Sequence, residues 1–136
     1  MYIEYLDLPS VPIELIDSYE EILNLPYTRK LEQSAPQYDF YKTRFIKKDL
    51  WDWLHSEIFP WFGSSFNAQY QILNSNIHRH KDRGRIVAYN YILHTGGNNV
   101  ITSVYDDNKK VLQSECILPN KWHKIDVTKF HDVRNI

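Results

Sequence analysis

The residues best suited to chemistry lie in Ile77-His78-Arg79-His80-Lys81-Asp82-Arg83-Gly84-Arg85, where His80-x-Asp82 places an imidazole and a carboxylate two positions apart. Residues i and i+2 of an extended chain share a face, roughly 6.5–7 Å apart along it, so both side chains can reach one ion. A further histidine, His131, stands near the C-terminus in Phe130-His131-Asp132-Val133. Two neutral imidazoles and one carboxylate form the 2-His-1-carboxylate facial set, which holds Fe(II) and leaves one face of the metal open. His78-x-His80 would also share a face, but Arg83 and Gly84 occupy the positions where a carboxylate would have to follow for a His-x-His metal motif. His78 is therefore expected beside the metal. His55, His94 and His123 read as surface or packing residues.

For three such groups to meet, the chain must roll up. Helical spacing comes first: Ile13 to Leu25 fits an amphipathic helix ended by Pro26, and Lys47 to Phe59 a second, closed by Pro60 and Gly63. Tyr27 to Gln37 reads as loop, and Tyr38 to Ile46 holds a short strand. From Asn67 onward, short β-branched and aromatic segments alternate with turn residues. The expected strands are Ala68–Leu73, Arg85–Leu93, Val100–Tyr105, Lys110–Leu118 and Lys124–Val127. The predicted fold is mainly β with flanking N-terminal helices, an antiparallel barrel or jelly roll. It is expected to form a single domain over 1–136, with a helical part at 1–66 packed on a β-roll core at 67–136 that carries the metal site.

Composition narrows the function classes. The chain has 136 residues, a formal net charge of −1 and one cysteine. The near-zero charge gives no general attraction to nucleic acid or to an acidic membrane. Arg79, Lys81, Arg83 and Arg85 could bind an anion, but alternation sends them to the face opposite His80, where a solvated edge is expected. Cys116 is expected to be buried, and a lone cysteine suits a reducing compartment, hence a cytoplasmic location. No apolar run approaches membrane-spanning length, and Met1 to Tyr5 lacks the pattern of a signal peptide.

His80-Lys81-Asp82-x-x-Arg85, then Ala88 to Leu93, then Gly96-Gly97 with Thr102 and Tyr105, and finally His131-Asp132-Val133-Arg134-Asn135 follow one another in this order. This series resembles the Fe(II)/2-oxoglutarate-dependent oxygenase superfamily, most closely its small viral and bacterial members related to prolyl and aspartyl/asparaginyl hydroxylases. The resemblance covers about half the chain. It implies a double-stranded β-helix, with iron held by His80, Asp82 and His131. It also implies 2-oxoglutarate and O2 as cosubstrates, hydroxylation of a small-molecule or peptide substrate, and the host cytoplasm as location if the protein is virus-encoded. Cosubstrate contacts are expected, by position, from Gln69, Gln71, Asn90 and Thr102.

One departure is plain. The family places an Arg or Lys after the distal histidine to bind the far carboxylate of 2-oxoglutarate, and here the sequence given ends at Ile136. Arg134 alternates outward. The natural protein is expected to be longer; alternatively Arg85, or Lys124, binds the cosubstrate, or the site holds metal without 2-oxoglutarate. A rival reading follows, a non-catalytic β-roll that serves as a binding or virion-associated module with a vestigial metal site. A zinc hydrolase or isomerase is a third.

Overall fold

The computed structural model describes residues 1–26, 29–32, 39–43, 45–63 and 66–136. The chain separates into two compact units, one made of Met1–Leu8 with Ser75–Ile136 and the other of Pro9–Asn74. The expected parts meet at residue 66; the division falls at residue 74 instead, because the Tyr70–Leu73 strand pairs with Asp39–Thr43, and Met1–Leu8 joins the C-terminal unit through the pairing of Ile3–Tyr5 with Trp122–Asp126. Among the described residues there are ten strands, all paired antiparallel, so the mainly β expectation holds.

The Met1–Leu8/Ser75–Ile136 unit holds two sheets. Strands β1 (Ile3–Tyr5), β9 (Trp122–Asp126) and β6 (Val87–Tyr91) form one, in the order β1-β9-β6. Strands β5 (Ile77–His80), β10 (Phe130–Arg134), β7 (Ile101–Tyr105) and β8 (Val111–Glu115) form the other, in the order β5-β10-β7-β8. From β5 onward the chain passes repeatedly between the sheets; only β7 and β8 follow each other within one. One core serves both: Ile3, Ile125 and Val127 pack with Val104 and Ile117, and Ala88 and Ile92 lie against them. Strand parity then places the remaining side chains. His131 is opposite Val104 and Thr102 lies two positions away from it, so both take the core face. Asn90 and His123 follow the parity of Ala88 and Ile125.

Gln113, on the core face of β8, bridges the sheets. Its Oε1 accepts from the Tyr2 and Ile3 main-chain N–H groups at 2.9 and 2.8 Å, and its Nε2 donates to the Ile3 carbonyl at 2.9 Å. The side-chain amide thus does for the outer edge of β1 what a neighbouring peptide would do.

The turns carry the expected residues. Gly96 has φ +76°, in the left-handed region that glycine enters without steric cost. Cys116 is exposed, against the expectation of burial. It follows β8, an edge strand, where alternation does not guarantee cover on both faces.

In the Pro9–Asn74 unit, β2 (Arg29–Glu32), β3 (Asp39–Thr43) and β4 (Tyr70–Leu73) make a three-stranded sheet in that order. Part of the segment expected as loop is therefore strand; Tyr27, Thr28 and residues 33–37 lie outside the described residues, as do Tyr38 and Arg44 of the next expected segment. The single helix expected over Ile13–Leu25 is instead a 3-10 turn at Ile13–Leu15 and a helix α1 at Tyr19–Leu23. Two features divide it. Ser18 caps α1 by accepting from the Glu21 N–H at 3.2 Å. Asp17 is buried, bound by Lys47 Nζ at 2.6 Å and by the Tyr70 hydroxyl at 3.1 Å. Burial, together with the Asp17 charge, pushes the Tyr70 phenol up to about 12.

The second expected helix is α2 (Lys48–Glu57), which buries Leu50 and Leu54. Pro60 does not end it but sits in the first turn of the short α3 (Phe59–Phe62), where its missing N–H costs nothing. Gly63, with φ +70°, closes α3.

Candidate metal centre

His80, Asp82 and His131 come together as the sequence suggests. His80 is the last residue of β5 and is directly opposite His131 on β10. Asp82 lies just beyond β5, where its main-chain N–H donates to the Val127 carbonyl at 3.1 Å. That bond ties the turn to the strand end of the facing sheet. The four strands between His80 and His131 are β6, β7, β8 and β9, which bring the chain back beside β5.

The three groups converge on one oxygen. His80 Nε2 and His131 Nε2 each lie 3.2 Å from Asp82 Oδ1, and one ligand atom from each residue falls within 4.8 Å of the others. With metal–ligand bonds of about 2.1 Å, neighbouring donors at right angles around an ion sit roughly 3.0 Å apart. The two 3.2 Å edges therefore match adjacent positions of one coordination sphere.

The far sides of both rings are fixed. His80 Nδ1 is 2.6 Å from the His78 carbonyl and His131 Nδ1 is 2.8 Å from the Lys129 carbonyl. A carbonyl only accepts, so each Nδ1 must carry the proton. In the neutral ring this leaves the Nε2 lone pair aimed at Asp82 Oδ1. Two lone pairs directed at a carboxylate oxygen repel it unless a cation, proton or metal, lies between. A backbone carbonyl on the second nitrogen is also the arrangement that orients histidine for metal binding.

Electrostatics favour an ionised Asp82. Burial alone would raise its carboxyl, but the Arg85 hydrogen bonds and charge, followed by the two imidazoles, hold it below the ordinary carboxylate value. Arg85 donates from Nε at 3.0 Å, and also from Nη2, to Oδ2, the oxygen turned away from the histidines. The side chains of Asp82 and His131 are 11% and 10% exposed and that of His80 is 35% exposed, so the centre opens to solvent on the His80 side.

The other expected contacts fall in different places. Thr102 is buried on the core face, and Asn90 is exposed with the same facing. Gln69 and Gln71 are exposed and belong to the Pro9–Asn74 unit, where Tyr70 between them is buried. Arg85 is bonded to Asp82, and Lys124 to Glu4 at 3.2 Å. Of the other basic residues, Arg79 lies over the Tyr105 ring at 4.7 Å, and Lys81 lies over Phe130 at 4.6 Å and pairs with Asp107 at 2.7 Å. Arg134 takes the face opposite His131, near Asp132 and Ser103.

One buried polar residue escapes the sequence reading, and a second settles as packing. Asp132 is buried and accepts from the Tyr105 hydroxyl at 2.8 Å; nothing in its local pattern distinguishes it. His123, read as a surface or packing residue, is buried in β9, where it shares the parity of Ile125 and Val127. Burial pushes the His123 imidazole below its ordinary value of 6.5. Below pH 6.5 the unfolded chain takes up a proton that the folded chain refuses, so this residue makes stability fall with falling pH, by at most about 1.4 kcal/mol per pH unit. Urea unfolding at pH 7.5 and pH 5 should show that His123→Gln loses less stability across this interval than the parent. Equal losses would contradict it.

Comparison with known proteins gives no further placement: no family model matches the chain, and neither curated proteins nor solved structures give a match. Among the described residues no helix is long and apolar enough to cross a membrane.

Proposed function

We propose that this chain is an Fe(II)/2-oxoglutarate-dependent dioxygenase that hydroxylates a small-molecule or peptide substrate, built on a double-stranded β-helix. The observation that carries the reading is the convergence of His80 Nε2 and His131 Nε2 on Asp82 Oδ1, with both Nδ1 atoms bound to carbonyls. Support also comes from the order β5-β10-β7-β8 facing β1-β9-β6, which winds the chain between two sheets and delivers His131 beside His80.

His80, Asp82 and His131 would hold iron, which with 2-oxoglutarate and O2 supplies the oxidising chemistry. The chain's own contribution is positional. The His78 and Lys129 carbonyls set both imidazoles, Val127 holds the Asp82 main chain, and Thr102 and Asn90 offer polar groups on the core faces. Three protein ligands on one side would leave room at the same centre for a chelating 2-oxo acid and O2.

The test is turnover. Protein loaded anaerobically with Fe(II) should convert 2-oxoglutarate to succinate on admission of O2, and His80→Ala should not. Equal succinate from parent and variant would refute the proposal.

A second reading, a binding module with a metal site unused for catalysis, is favoured by one observation. Arg85 is engaged with Asp82 and Lys124 with Glu4, so neither proposed cation is available to the far carboxylate of 2-oxoglutarate. Titration calorimetry separates the readings. Mn(II)-dependent affinity for 2-oxoglutarate supports the enzyme, and metal binding without it supports the module.

A further inference from the structure

We infer that Arg85 is a positioning residue that restricts Asp82 to one-oxygen ligation and so sets how many coordination positions a bound metal keeps open; this rests on the metal reading above. The two carboxylate oxygens are divided between partners. Oδ1 faces both imidazoles at 3.2 Å, while Oδ2 accepts from Nε and Nη2 of Arg85. Two charged hydrogen bonds from one guanidinium occupy the lone pairs of Oδ2. The guanidinium charge also repels a cation approaching that oxygen. A metal at the centre therefore gains one bond from Asp82 rather than two.

The backbone supports this division. The chain turns between the two residues, with Gly84 at φ +75°, and across this turn Arg85 meets the side chain three residues before it. Among the described residues nothing beyond its chain neighbours lies within 4 Å of where a side chain at Gly84 would begin, so it is backbone conformation, not lack of space, that favours glycine there. The Arg85 side chain is 60% exposed over a carboxylate that is 11% exposed, which places the guanidinium on the solvent side of Asp82. The same contact explains why Arg85 does not serve as a free anion-binding group.

Co(II) and oxalate are suitable probes, the first for the coordination sphere and the second for two adjacent vacant positions. The parent should bind Co(II) with visible absorption bands and then bind oxalate at the metal. Arg85→Met should change the bands, as Asp82 becomes free to chelate, and weaken oxalate about tenfold or more, in the range found when groups supporting a ligand are removed. Arg85→Lys, which keeps the charge without the two-pronged geometry, should recover part of the oxalate affinity. Gly84→Ala, which strains the turn, should alter the same bands and serves if Arg85→Met does not fold. Absence of Co(II) binding by the parent would remove the metal reading itself. Co(II) bands and oxalate affinity unchanged in the folded variants would overturn the role given to Arg85 alone.

Discussion

His131→Ala should lower affinity for Mn(II) or Fe(II) by more than about a hundredfold and abolish succinate formation. Loss of a supporting group alone costs ten- to a hundredfold, and this change removes a ligand outright. The effect should exceed that of His80→Ala on metal binding, because the two imidazoles are not equally placed. His131 lies in mid-sheet, 10% exposed, flanked by β5 and β7. Both rings are held by carbonyls, but the gap left by His131 lies deeper from bulk solvent. His80, at 35% exposure, leaves a position that solvent can fill. Calorimetry with Mn(II) on both variants provides the measurement. Parent-like binding by His131→Ala would eliminate the three-residue centre.

Gln113→Leu should cause a large loss of stability while leaving the metal ligands untouched. The change keeps an apolar body of similar size but removes both acceptor and donor. The N–H of Ile3, a residue only 3% exposed, loses its acceptor, its carbonyl loses a donor, and the Tyr2 N–H loses the same acceptor. A buried group left without its partner costs roughly 1–3 kcal/mol, so the sum is about 3 kcal/mol once partial hydration of the Tyr2 end is allowed for. Chemical unfolding followed by circular dichroism should show a lower midpoint with an unchanged slope. Metal affinity, measured under folding conditions, should change far less. A variant as stable as the parent would mean that β1 is held without the bridge.

These outcomes bear on how much a single sequence discloses. The metal residues were legible because part of their relationship is local. His80 and Asp82 are two positions apart, and the spacing of strand and turn segments fixes how many crossings separate them from His131. The partners of those residues were not legible. Arg85 lies three residues from Asp82, and strict alternation sends it to the opposite face; the contact forms across a turn in which Gly84 has positive φ. Gln113 reads as an ordinary polar position in a strand, since its partners are main-chain groups of Tyr2 and Ile3 at the other end of the sequence. Alternation identifies which residues share a face but not which face is covered; hence Cys116 reads as buried and is exposed, and His123 reads equally as surface or packing and is buried. The split of the first helix had a visible signal in Ser18-x-x-Glu21, a capping pattern that the apolar periodicity of Ile13 to Leu23 obscured.

The asymmetric exposure of the centre has a practical outcome for anyone who purifies this protein. With its rim formed by His80, a bound ion has a short route to bulk water and should exchange during chromatography or dialysis. The element recovered would then report the growth medium and buffers rather than a preference of the polypeptide. Reconstitution under exclusion of oxygen, one ion at a time, is the preparation from which selectivity can be read.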